Sequence, residues 1–148
     1  MMQEVKEFLE RAREHTPACK ERTLAVMHSN SVKELYEAAT DIQGIEFLSK
    51  AIGEGWGMDA KDIEMLFGRY INGGLVADCG GYTSAVYCSF RGEVEACATV
   101  VCFINSHATL HVPAGRMCKL YVTGCSDVLV TGDGKAFLEY KDEKSNVE

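Results

Sequence analysis

Proline, tryptophan and long apolar runs are all scarce in this chain: 148 residues include two prolines and one tryptophan. So few prolines exclude a collagen-like or proline-rich linker protein, and the 47% apolar content excludes intrinsic disorder. The longest charge-free stretch, 96–115, is broken by Thr99, Asn105, Ser106 and Pro113. A membrane span needs about 20 predominantly apolar residues, so this stretch reads as buried strand. Basic clusters are missing too. Lysine and arginine number 15 against 22 aspartates and glutamates, a net charge of −7. Non-specific nucleic-acid binding works by displacing phosphate counterions with clustered cations, so a nucleic-acid partner is not expected. The acidic excess lies in both halves and is explained by solubility. Charge also occupies the N-terminal positions where a signal peptide has its apolar segment, so a cytoplasmic location is expected.

Seven cysteines are present, an odd number, with no Cys-x-x-Cys pair among them. Free thiols behaving as small buried apolar side chains are the expectation.

The rhythm of the chain changes near Asn72-Gly73-Gly74. Upstream, apolar spacing is helical. Val5, Phe8, Leu9 and Ala12 form one stripe, and Thr16-Pro17 opens a second helix running to about Met27. Ser31 to Glu34 is a capping-box pattern ahead of Val32, Leu35, Tyr36 and Ala39. Ile45, Leu48 and Ile52 form a stripe ending at Gly53. Asp59 caps a last short helix carrying Ile63, Leu66 and Phe67, closed by Gly68.

Downstream, Leu120-Tyr-Val-Thr-Gly-Cys-Ser-Asp127 aligns over Val128-Leu-Val-Thr-Gly-Asp-Gly-Lys135, and then over Ala136-Phe-Leu-Glu-Tyr. Each eight-residue unit is a short strand and a glycine-bearing turn. Leu110-His-Val112 is one step upstream. A short β-solenoid stacks Leu110, Leu120, Val128 and Ala136 in one inward column and Val112, Val122, Val130 and Leu138 in the next. An antiparallel meander gives the same alternation. Repetition of one turn chemistry favours the solenoid, with eight residues forming one side of a coil. On the opposite face His111, Tyr121, Leu129 and Phe137 fall in one row, too apolar for a face wholly in water. Cover by the N-terminal helices is expected, with a partner or a homodimer as the alternative, which makes these four the candidate interface.

The helical part, the junction Gly-Arg-Tyr-Ile-Asn-Gly-Gly (68–74), the segment Gly-Tyr-Thr-Ser-Ala-Val-Tyr (81–87) and the short Val-rich repeats together define a layout. It resembles uncharacterised small proteins carried by bacteriophages and mobile elements of gut Bacteroidetes. The resemblance implies no established activity and assigns no functional residue.

Constellations for chemistry are weak. His107, His111, Cys118 and Cys125 are zinc-ligand types, but strand residues four apart lie about 13 Å apart, too far for a shared metal. Cys79, within Asp78-Cys79-Gly80-Gly81-Tyr82, has an acidic neighbour that opposes thiolate formation. Thr131-Gly-Asp-Gly-Lys135 lacks the following helix of a phosphate loop and reads as a β-turn. Glu93 and Glu95 flank Val94 on the solvated side of a strand. No catalytic residue, cofactor or metal is therefore expected.

The sequence thus predicts an α+β protein: a helical region over 1–72, a β-repeat region over 73–142 and a polar tail over 143–148, in one cooperative unit. The expected function is that of a non-catalytic interaction or accessory protein of a phage or mobile element, acting on a protein partner by surface recognition. An inhibitor of a host defence nuclease or signalling system is the first alternative. A small cysteine- or metal-dependent enzyme is the second.

Overall fold

The computed structural model describes residue 3 and residues 31–39, 42–55, 59–68, 70–72, 75–77 and 82–148. The two helices expected before Met27 lie outside the described residues. The β-repeat is a short solenoid of about three turns of parallel strands. Its strands are β1 (Leu75–Ala77), β2 (Thr83–Cys88), β3 (Arg91–Glu95), β4 (Val100–Ile104), β5 (His107–His111), β6 (Met117–Thr123), β7 (Asp127–Thr131), β8 (Lys135–Lys141) and β9 (Asn146–Val147). Successive strands alternate between two sheets. Sheet A has the order β1-β2-β4-β6-β8 and sheet B the order β3-β5-β7-β9. All pairings are parallel except that of β1 with β2, which excludes the meander.

The eight-residue repeat is therefore half a coil. Strands stack at a longer interval: Ser84 pairs with Val100, Val100 with Lys119, and Met117 with Lys135. This corrects the expected columns. Leu110 and Val128 belong to sheet B while Leu120 and Ala136 belong to sheet A, so the inward residues form two columns that face each other. Ala85, Tyr87, Val101, Phe103, Leu120 and Val122 of sheet A meet Ala108, Leu110 and Val128 of sheet B in the solenoid interior. Burial weakens toward the last coil, where Val130 and Ala136 are half-buried and Leu138 is exposed.

The corner from sheet A to sheet B carries a polar ladder. Ser106, Ser126 and Ser145 are fully buried at the interval of one coil. The backbone N–H of Ser106 donates to Ser126 Oγ at 2.9 Å, and that of Ser126 donates to Ser145 Oγ at 3.0 Å. Their hydroxyls donate back to strand ends, Ser106 to the Ile104 carbonyl at 2.9 Å and Ser126 to that of Thr123 at 2.7 Å. Each serine thereby satisfies buried backbone groups that a sharp corner takes out of the sheet. Residues 143–148, expected as a polar tail, are polar yet supply β9 and the last rung of this ladder.

Among the described residues the helices are α1 (Val32–Ala39), α2 (Ile42–Gly53) and α3 (Ala60–Phe67); α2 and α3 lie against the outer face of sheet A, and α1 packs on both of them. Ser31 caps α1 by accepting the Glu34 N–H at 3.1 Å. Asp59 and Asp62 form a reciprocal capping box on α3, at 3.1 and 3.0 Å. Tyr36, Ile45, Leu48, Ile63 and Phe67 pack on Val86, Cys88, Val100, Cys102, Ile104 and Tyr121. Sheet A is thus covered on both faces, as parallel strands rich in Val and Ile require.

Candidate recognition surface

Among the described residues, sheet B is covered on one face only. Its outer side runs in three ladders set by strand register: Arg91, His107, Asp127 and Asn146; Glu93, Thr109 and Leu129; Glu95, His111 and Thr131. Strand alternation places these side chains outward, and most are exposed. Polar contacts run along the ladders. His107 Nδ1 lies 3.3 Å from Asp127 Oδ2, and Asn146 Nδ2 donates to Asp127 Oδ1 at 2.9 Å. His111 Nδ1 lies 3.2 Å from Thr131 Oγ1. A shallow depression of about 490 Å³ crosses the middle of this face, lined by Glu93, His107, Thr109, Asp127, Leu129 and Glu148. Leu129, 44% exposed, is its apolar centre.

The four residues expected as one row do not form one. His111 and Leu129 lie on sheet B, Tyr121 and Phe137 on sheet A. Tyr121 is buried beneath the helices. Leu129 and Phe137 are exposed at 44% and 49%, and His111 is exposed as well, which corrects the expectation of a helical cover. The physical reason is the alternation of strands between sheets. Residues eight apart look in opposite directions through the molecule, and helices on one side reach only half of them.

The candidate ligand types are likewise dispersed. His107 and His111 occupy the outer face of sheet B, Cys118 lies in the solenoid interior, and Cys125 is exposed at a corner. Cys102 is wholly buried, its Sγ 3.5 Å from Ser49 Oγ, and burial pushes its thiol up to about 12. Burial, with the nearby Glu64 carboxylate, pushes Cys88 up to about 12 as well. Burial also raises Cys118. These three are protonated at neutral pH and serve as packing groups. Cys19 and Cys79 lie outside the described residues. Thr131 to Lys135 forms the turn between β7 and β8, as read, and follows no phosphate-loop geometry. A Cβ on Gly134 would come within 2.3 Å of the Pro113 carbonyl oxygen, so that glycine is there for close stacking on the coil below. Glu93 and Glu95 are exposed beside inward Val94.

Sequence reasoning missed the serine ladder. Its signal was available in Asn-Ser-His (105–107), Cys-Ser-Asp (125–127) and Lys-Ser-Asn (144–146), which recur at the length of a full coil. No family model, curated protein or solved structure matches the chain. Among the described residues, no helix is long and apolar enough to cross a membrane.

Proposed function

We propose that this is a non-catalytic recognition protein, an accessory protein of a phage or mobile element, which binds a protein partner through the outer face of sheet B. The accessory role is supported by the layout 68–87 and the repeats, which resemble small proteins of such elements. The observation that carries the recognition reading is the asymmetry of the solenoid. Among the described residues, one sheet is covered by helices, while the other leaves an exposed, hydrogen-bonded face whose shallow depression contains the apolar side chain of Leu129. A stacked sheet holds its side chains at fixed spacing, so little ordering is needed when a partner docks.

The charge of this face favours a basic partner. Glu93, Glu95, Asp127 and Glu148 lie on or beside this face with Arg91 as its arginine. An acidic surface around an apolar centre suits a basic protein surface that presents an apolar anchor, and it repels a phosphate backbone. Wild-type protein should capture such a partner from its native host, and Glu93→Lys with Leu129→Ser should lose it while melting at the wild-type temperature. An unchanged set of captured proteins would reject this face as the site.

A further inference from the structure

We infer that the outer side of the corner after β6 and β8, beneath the C-terminus of α2, is a binding site for a hard cation of calcium's class, held by Asp142 and Thr123. This inference concerns the helix-covered side of sheet A and is independent of the face proposed above.

The site starts from an irregularity in strand pairing. Leu138 stands opposite Leu120, but Tyr140 stands opposite Tyr121, so Glu139 is an extra residue in β8. One extra residue reverses the alternation of the strand beyond it, and such bulges re-aim side chains. Tyr140 thereby points outward against the layer beneath the helices, and Asp142, two residues on, follows it. The Asp142 N–H donates to the Val122 carbonyl at 3.3 Å, which sets Asp142 beside Thr123. In β6, Tyr121 faces the helices and Val122 the solenoid interior, so Thr123 faces the helices again.

Among the described residues, two buried oxygens of this corner make no hydrogen bond. Thr123 is 0% exposed, and its Oγ1 is one of them. The other is Asp142 Oδ1, whose sister atom Oδ2 accepts the Gly124 N–H at 2.9 Å. That N–H belongs to the residue after Thr123, so hydroxyl and carboxylate share one place. A buried acceptor without a donor is costly, and more so when charged. The surroundings add to the negative potential. A Cβ on Gly53, the last residue of α2, would come within 3.1 Å of Asp142 Cβ, so glycine brings the helix end and its carbonyls close. A helix C-terminus is a negative pole that favours a cation over a carboxylate. Burial, and then the carboxylates of Glu54 and Asp142, push the Tyr140 hydroxyl up, so both carboxylates act on this corner. Nearby lysines are engaged elsewhere: Lys50 Nζ lies 3.4 Å from Glu46 Oε1, and Lys141 Nζ donates to the Asp142 and Ser145 carbonyls.

The donor types select the ion. Among the described residues no three His, Cys, Asp or Glu side chains stand together, which disfavours zinc and other transition metals. The donors here are oxygens of carboxylate, hydroxyl and helix-end carbonyl. Calcium accepts roughly 6–8 such oxygens in flexible geometry, with water completing the set, whereas magnesium demands a strict octahedron. So few carboxylates place the dissociation constant at about 10⁻⁴–10⁻³ M.

The test uses the full chain, stripped of metal by a chelator, with calcium chloride alone as the probe. Isothermal titration should show saturable binding of one calcium per chain. Melting temperature should rise by about 3–6 °C at about ten times the dissociation constant. Asp142→Asn keeps an acceptor for the Gly124 N–H, so it should fold, yet it should bind calcium at least about tenfold more weakly. Thr123→Val keeps the shape and removes the orphan hydroxyl. It should weaken binding several-fold while melting, without calcium, at or above the wild-type temperature. Absence of both heat and melting shift at about 10 mM calcium would overturn the proposal, as would wild-type affinity in Asp142→Asn. If Asp142→Asn does not fold, Thr123→Val decides, and wild-type affinity in that variant overturns the site.

Discussion

Cys102 shows how a residue that suggests chemistry can instead be a pH-dependent element of stability. Its thiol is enclosed between α2 and sheet A, and Cys88 occupies the same layer. Both are held up to about 12, chiefly by burial, from an ordinary 9.0. Above pH 9.0 the unfolded chain releases these protons while the folded chain keeps them. The unfolded state then binds fewer protons, so stability is intact below that pH and falls as pH rises toward 12. The slope should be on the order of 1 kcal/mol per pH unit for each thiol. Chemical denaturation at about pH 8 and about pH 10.5 should show this loss in wild type. The variant Cys88→Ala with Cys102→Ala, though less stable at the lower pH, should lose markedly less on going to the higher one. Equal losses would place the alkaline sensitivity elsewhere.

At the scale of the element, Tyr121, Leu129 and Phe137 occupy three successive strands and meet three different environments. Tyr121 is 6% exposed under the helices, Leu129 is exposed on sheet B, and Phe137 is exposed near the free edge of sheet A. Tyr121→Ser should cost roughly 2–4 kcal/mol by emptying a packed site between helix and sheet. Leu129→Ser and Phe137→Ser should each stay within about 0.5 kcal/mol in the isolated monomer. Three urea melts check this, and a large loss at Leu129 would show that the outer face of sheet B is packed. The short strands with glycine-bearing turns, the inward positions of Leu120, Val122 and Val128, and the caps at Ser31 and Asp59 were legible in sequence, because alternation and capping are local. The partition of strands between two sheets was not. Val-Thr-Gly recurs at 122–124 and 130–132, and Gly124 and Gly132 both adopt positive φ, but the two turns stand at opposite corners of the coil. One turn chemistry served two corners, so the half-coil repeat hid the full coil. The serines that mark the full coil are polar and buried, and a search for apolar columns passes over them.

For the molecule as a whole, cohesion is passed from coil to coil, since each rung touches mainly the rungs beside it. The last rung shows how far a six-residue segment reaches. Ser145 Oγ accepts the N–H of Ser126, and Asn146 N–H donates to the Ser126 carbonyl at 2.8 Å. Val130 N–H donates to the Glu148 carbonyl at 2.8 Å, while Glu148 N–H donates to Val128 at 2.9 Å. Val147 packs against the solenoid interior. Among the described residues β7 has no sheet neighbour besides β5 and β9, so removing 143–148 would strip it of the second and leave the buried Ser126 N–H without an acceptor. A buried unsatisfied group costs about 1–3 kcal/mol, and the lost valine and ladder bonds add to it. The truncated chain should therefore lose several kcal/mol. Loss should also be graded: hydrogen exchange should quicken most in β7, less in β5 and least in β3, while β2 and β4, held by the helices, keep their protection. Uniform acceleration through both sheets would mean that the solenoid unfolds as one block, and unchanged exchange in β7 would mean that β9 contributes nothing to holding the coil below it.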